Sequence, residues 1–114
     1  MIVVVDDDEG IRATYQHCLR ARGFDVRCAA DGEAALQLLS RQPSATVLLD
    51  IFMPGMEGIE TLRRIKREHP KSKVITMSGA RQFGVDMLKA TLALGADASL
   101  EKPFALDQLL ALIS

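Results

Sequence analysis

The stretch Thr46-Val47-Leu48-Leu49-Asp50-Ile51-Phe52-Met53-Pro54-Gly55-Met56-Glu57-Gly58-Ile59-Glu60-Thr61-Leu62-Arg63-Arg64-Ile65 decides the fold. It opens as a short apolar run, Thr46–Leu49, the pattern of a buried strand. An acid, Asp50, stands immediately past that strand. A loop with Pro54 and Gly55 follows, and then a helix marked by Ile59, Leu62 and Ile65, with a basic outer face and an end at Pro70. One strand and one helix joined by a short loop make a βα unit, and the same unit recurs on both sides.

Toward the N-terminus, Ile2–Val5 is a bare β-branched strand, and Ile11, Tyr15, Cys18, Leu19 and Arg22 stripe a helix that Gly23 ends. Phe24, Val26 and Cys28 alternate with Asp25 and Arg27 as a strand with one wet face. Asp31-Gly32 opens a helix carrying Ala35, Leu38 and Leu39 that stops near Pro43. Toward the C-terminus, Val74–Met77 reads as a strand. Val85, Leu88 and Leu92 mark a helix ended by Gly95, Ala98–Glu101 is a short strand, and Leu106, Leu109, Leu110 and Ile113 stripe a last helix. Five βα units in series imply an α/β protein with a parallel sheet and helices on both faces, because parallel strands need right-handed crossovers.

The composition fits that expectation and excludes others. A chain of 114 residues is expected to form a single domain, residues 1–114, and is long enough to bury a core. Hydrophobic residues make up 48% and charged residues 25%, as in a globular protein. A net charge of −1 argues against direct nucleic-acid binding, which needs a basic surplus. No apolar run approaches the roughly 20 residues of a membrane span, and Met1 leads into Ile2–Val5 without the basic flank of a signal peptide. Cys18 and Cys28 lack the spacing of a metal pair and are expected to be core thiols of a cytoplasmic protein.

In open parallel sheets, ligands bind beyond the carboxyl ends of the strands. There the chain places Asp6, Asp7 and Asp8 after the first strand, Asp50 after the third, Ser78 after the fourth and Lys102 after the fifth. The second strand offers nothing comparable. Asp6, Asp7 and Asp50 crowded together would repel, so they call for a compensating cation. Lys102 supplies one charge, and a hard divalent ion bound by oxygens supplies the rest. Mg²⁺ (or Mn²⁺) suits one or two carboxylates plus phosphate oxygens. A carboxylate facing a phosphate can act as a nucleophile, and phosphoryl transfer needs mainly positioning and charge neutralisation. Asp8 and Glu9 read as first-turn acids of the helix that follows. His17, His69 and the run Arg63, Arg64, Lys66 and Arg67 read as solvated helix faces, and Met53, Met56 and Met77 as packing.

At these residues the chain resembles the receiver domain of bacterial response regulators, over nearly its whole length. Val5-Asp6-Asp7-Asp8-Glu9 resembles the family's acid pair, Leu48 to Gly58 the segment around its phosphorylated aspartate, Val74 to Ala80 the strand ending in its hydroxyl residue, and Leu94 to Asp97 with Lys102-Pro103-Phe104 its closing signature. The resemblance implies a flavodoxin-like, doubly wound (βα)5 three-layer sandwich with sheet order 2-1-3-4-5. It implies Asp50 as phosphoacceptor, Ser78 and Lys102 as its catalytic partners, and a metal site from Asp6, Asp7, Asp50 and the Phe52 carbonyl. It also implies a cis peptide before Pro103. The function implied is Mg²⁺-dependent transfer of phosphate from a sensor histidine kinase, or a histidine phosphotransfer protein, to Asp50. Such a domain catalyses only its own phosphorylation and dephosphorylation, and is not an enzyme on external substrates. Output would run through the face of the fourth helix, fifth strand and fifth helix, to an output domain or partner or through a phosphorylation-dependent homodimer.

Three departures modify this expectation. Ser99 stands where the family usually places an aromatic switch residue, so either the switch is modified or the chain is a phosphorelay shuttle. Phe52 and Ala80 are apolar where they would limit attacking water, which suggests a long-lived phosphoryl group. The last helix stops about a turn short at Ser114, as in a receiver excised from a longer response regulator. Two other readings remain: a degenerate scaffold that is not phosphorylated, and a haloacid-dehalogenase-like phosphatase using Asp6-x-Asp8, which lacks the acidic pair needed after Lys102.

Overall fold

The computed structural model describes residues 1–53, 57–78, 81–82, 85–102 and 104–113, with 81–82 and 85–88 described by their backbone. Five parallel strands form one sheet: β1 Ile2–Val5, β2 Val26–Ala29, β3 Thr46–Asp50, β4 Lys73–Ser78 and β5 Ala98–Glu101. Their order is β2-β1-β3-β4-β5. Five helices connect and flank them: α1 Glu9–Arg20, α2 Gly32–Arg41, α3 Glu57–Glu68, α4 Met87–Ala93 and α5 Leu106–Ile113. The expected doubly wound α/β fold is therefore observed, with the strand order as expected.

β1, β3 and β4 bury residues on both faces, which is why β1 and β3 read as unbroken apolar runs. On one face Val3, Val5, Val47, Leu49 and Val74 pack against Leu36 and Leu39 of α2 and Leu62 and Ile65 of α3. On the other, Val4, Leu48, Ile75 and Met77 pack against Leu19 of α1 and Leu109 of α5. The order of strands reverses between β1 and β3, and such reversal points open a crevice at the carboxyl ends of the strands.

Local chemistry sets the helix boundaries. Asp8 and Asp31 cap α1 and α2, accepting from the amides of Ile11 at 3.1 Å and Ala34 at 2.8 Å. Gly95 ends α4 with φ 107°, a left-handed conformation that an L side chain adopts only with strain. At the start of α3 a Cβ on Gly58 would run into the carbonyl of Ile51, so glycine there lets α3 begin directly beside the end of β3.

Some expectations shift. The helix expected from Val85 starts at Met87, and Val85–Asp86 instead pairs with Arg81–Gln82 as a short antiparallel ladder. The β-branched Val85 suits a strand as well as it suits a helix stripe, and backbone pairing decides. The second strand runs Val26–Ala29, two residues later than its alternation suggested. Cys18 and Cys28 are free and half-buried, and Cys28 packs against the core around Leu19 and Val26. The basic face of α3 is tied into the fold: Arg64 bridges Glu33 at 2.6 Å and Glu68 at 3.0 Å, and Lys66 reaches Asp97 at 3.0 Å.

Candidate functional site

Four strand ends deliver their chemistry to one rim. Asp6 and Asp7 directly follow β1, Asp50 and Ser78 are the last residues of β3 and β4, and Lys102 follows β5. A carboxylate oxygen from each of Asp6, Asp7 and Asp50 falls within 4.8 Å of the others. Lys102 Nζ stands 3.6 Å from Asp50 Oδ2 and 3.8 Å from Asp6 Oδ2. Ser78 is buried, and its carbonyl accepts from the Lys102 amide at 2.9 Å, which fixes the two strand ends to one another.

The two buried acids are held differently. Asp50 is 4% exposed, and its Oδ1 accepts from the Phe52 amide at 2.9 Å. Burial is the main force pushing its carboxyl above the usual range. The Phe52 amide and Lys102 pull it back, and the charges of Asp6 and Asp7 push it further up. Asp6 is 1% exposed, and its Oδ1 accepts from the Asp8 amide at 2.9 Å. Its Oδ2 is buried and makes no hydrogen bond. Such an oxygen is costly unless something pairs with it. With three carboxylates converging and Lys102 beyond hydrogen-bond reach of it, this oxygen fits a hard cation with oxygen ligands, as the sequence suggested.

Neighbouring elements complete the surroundings. Tyr15 of α1 stacks on Phe104 with ring centroids 6.0 Å apart and planes inclined by 12°. Together with Asp8, Ile11, Thr14 and Lys102 they line a groove of about 770 Å³ beside the acids. The Tyr15 hydroxyl is pushed above its usual range, chiefly by burial and then by the charges of Asp6 and Asp50. Beneath α4, the hydroxyls of Thr76, Thr91 and Ser99 form a closed triangle with edges of 2.7, 2.9 and 2.9 Å.

The structure thus brings together Asp6, Asp7, Asp50 and Lys102, with Ser78 at the same rim and Phe52 half-buried next to Asp50. Ser99 lies in the hydroxyl triangle, at mid-strand in β5. Ala80 and Pro103, along with Gly55, Met56 and Gly79, lie outside the described residues. Sequence reading missed three features: the Tyr15–Phe104 stack, the partners of Ser99, and Arg12, whose guanidinium donates to the Asp6 carbonyl at 2.8 Å. Tyr15 read only as part of an apolar stripe, and nothing in the local pattern of Arg12 distinguishes it from a solvated helix residue.

Comparison with known proteins points to one family and to the same fold. The family model described as response regulator receiver domain matches residues 2–114. Response regulator MprA of Mycolicibacterium vanbaalenii is 37% identical over 110 residues, which cover 96% of this chain and 47% of that protein. The chain thus spans about half the length of that relative. The crystal structure of the receiver domain of NtrX from Brucella abortus superposes with a TM-score of 0.88 at 31% identity, covering 99% of this chain and 94% of that one. Chemotaxis protein CheY4 of Vibrio cholerae gives 0.84 at 26% identity, covering 98% and 93%.

Proposed function

Because the chain belongs to the response regulator receiver domain family, the phosphorylation-responsive part of two-component signalling, we propose that it takes a phosphoryl group on Asp50 and that Asp6, Asp7, Ser78 and Lys102 serve that transfer. The observation that carries this reading is the buried Asp6 Oδ2, which makes no hydrogen bond and has only the Lys102 ammonium at 3.8 Å, beside Asp50.

Asp50 is the acceptor because it ends the central strand, between the acid pair and Ser78, with one oxygen fixed by the Phe52 amide. A carboxylate oxygen of Asp50 attacks phosphorus in line. The bond from phosphorus to the donor's imidazole nitrogen breaks, and its electron pair leaves with the imidazole. Lys102 stays close to Asp50 and neutralises charge on one equatorial oxygen, while Ser78 offers its hydroxyl to another. Asp6, Asp7, Asp50 and the Phe52 carbonyl would hold Mg²⁺ (or Mn²⁺). When bound, the ion supplies the positive charge that the phosphoryl oxygens and the acid cluster share.

The donor would be a phosphohistidine on a sensor kinase or on a histidine phosphotransfer protein, in the cytoplasm. Output would pass through α4, β5 and α5 to a further domain, a partner or a second copy. Among the described residues no helix is long and apolar enough to cross a membrane. The receiver is a signalling domain, which leaves the phosphatase reading without support. A shuttle role uses the same chemistry and is favoured by one observation, that the position of Ser99 carries a small hydroxyl tied to Thr76 and Thr91. Return of the phosphoryl group to a histidine phosphotransfer domain would separate the two roles.

The test is incubation with acetyl phosphate and Mg²⁺ followed by intact mass measurement. One phosphoryl group should be gained, and lost in Asp50→Ala and with EDTA. A gain that survives Asp50→Ala would overturn the assignment.

A further inference from the structure

The polar atoms of Asp6 can be accounted for one at a time. Its amide donates to the Ala29 carbonyl at 3.2 Å, tying it to the end of β2. Oδ1 accepts from the Asp8 amide. Its carbonyl accepts from Arg12 Nη1 at 2.8 Å. Only Oδ2 is left over, buried and without a hydrogen bond. Three anchors therefore fix both the backbone and the side chain of Asp6, and they leave Oδ2 without a hydrogen bond, with only the Lys102 ammonium 3.8 Å away.

Of these anchors, Arg12 is the one supplied by a side chain from elsewhere in the chain. It stands in the second turn of α1, half-buried, and reaches back over six residues to the strand end. Its backbone is fixed as well: the Arg12 amide donates to the Asp8 carbonyl at 3.0 Å and the Arg12 carbonyl receives the Cys28 thiol at 3.8 Å. The carbonyl that Arg12 holds belongs to the peptide joining Asp6 to Asp7. That peptide plane sets the direction in which the exposed Asp7 leaves the backbone. A guanidinium stays charged at all working pH values, and its hydrogen bonds are stronger than neutral ones.

We infer that Arg12 is a positioning residue of the cation centre. By clamping the Asp6–Asp7 peptide it aims the two carboxylates at the point where Asp50 meets them. The inference rests on the proposed cation centre and goes beyond it, since Arg12 would act through the Asp6 carbonyl and not as a ligand.

The test is Mg²⁺ titration by calorimetry of the 114-residue chain and its variants. Arg12→Met keeps the apolar stem and removes the clamp. It should weaken Mg²⁺ binding about tenfold, the scale of lost outer-shell support at metal sites. Arg12→Lys, with charge but no planar fork, should recover part of that loss. Arg20→Met is the control, because Arg20 also ties α1 to a backbone carbonyl, that of Val26 at 2.9 Å, but away from the acids. It should leave Mg²⁺ affinity unchanged. Phosphoryl uptake by Arg12→Met should return to the wild-type rate at saturating Mg²⁺, because the clamp acts through ligand placement. Equal affinity of Arg12→Met and wild type, or equal weakening by Arg20→Met, would overturn the inference while leaving the cation centre standing. A wild-type chain that binds no Mg²⁺ would overturn both.

Discussion

The Ser99 hydroxyl lies 2.7 Å from that of Thr76, its neighbour across the β4–β5 ladder, and Thr91 of α4 closes the pair into a triangle. Thr76 and Thr91 are buried at 1% and 0% exposure, so α4 is joined to the sheet here by hydroxyls rather than apolar contact. Removing one corner leaves the other two paired. Ser99→Ala should therefore cost only about 0.5–1.5 kcal/mol in urea unfolding and leave phosphoryl uptake unchanged. Ser99→Tyr, which restores the family's usual ring, should cost more by overpacking the space that Thr76 and Thr91 fill. If Ser99→Tyr were neutral, the triangle would not occupy the ring's place.

Asp50 carries a pH signature. Burial raises its carboxyl pKa above the unfolded value, and Asp6 and Asp7 raise it further. A raised acid contributes stability that is complete below the unfolded pKa and is lost as pH rises through the folded one. Without metal, the wild type is thus penalised at neutral pH. Asp50→Asn should be more stable than wild type by roughly 1 kcal/mol at neutral pH, and the gain should vanish on acidification. Urea unfolding in EDTA at the two pH values measures it. A gain independent of pH would assign the effect to packing instead of charge.

Phe52 is half-buried two residues after Asp50, and its amide is committed to Asp50 Oδ1. Its ring is expected to limit water at the proposed acceptor. Phe52→Asn should shorten the lifetime of the phosphorylated form several-fold, and the decay of the mass adduct reads it. An unchanged lifetime would sink that role.

Asp97 is a clip between elements. Its Oδ2 accepts from the Val74 amide at 2.7 Å and from Lys66 Nζ at 3.0 Å. Asp97→Ala leaves a part-buried amide at the second residue of β4 unpaired and should cost about 1–3 kcal/mol. Lys66→Met, which breaks the partly exposed ion pair and a long 3.3 Å hydrogen bond to the Ser72 carbonyl but leaves the Val74 amide paired, should cost at most about 1 kcal/mol. Equal costs would mean that the ion pair, not the amide, is what Asp97 holds.

The fold was legible because burial on both faces of the sheet writes itself as apolar runs at β1, β3 and β4, and because Asp31, Gly23 and Gly95 punctuate the helices in the usual way. The acids and Lys102 were legible because they stand at strand ends, where the chain has no other reason to concentrate charge. What escaped has a common cause. The partners of Arg12, Ser99 and Lys66 are met only through side-chain contacts made once the chain folds back on itself, and a one-dimensional pattern does not encode such pairs. The start of α4 escaped for a different reason: Val85 satisfies both a strand and a helix stripe, and only its pairing with Gln82 decides.

The proposed mechanism turns on Asp50 as the residue that carries the phosphoryl group. The most direct measurement is borohydride trapping after reaction with acetyl phosphate and Mg²⁺, followed by peptide mapping. Reduction of an aspartyl phosphate leaves homoserine at the acceptor position. Homoserine at position 50 alone is the predicted result. Homoserine at position 6 or 7, or none at all in a chain shown by intact mass to have gained phosphate, would contradict the account.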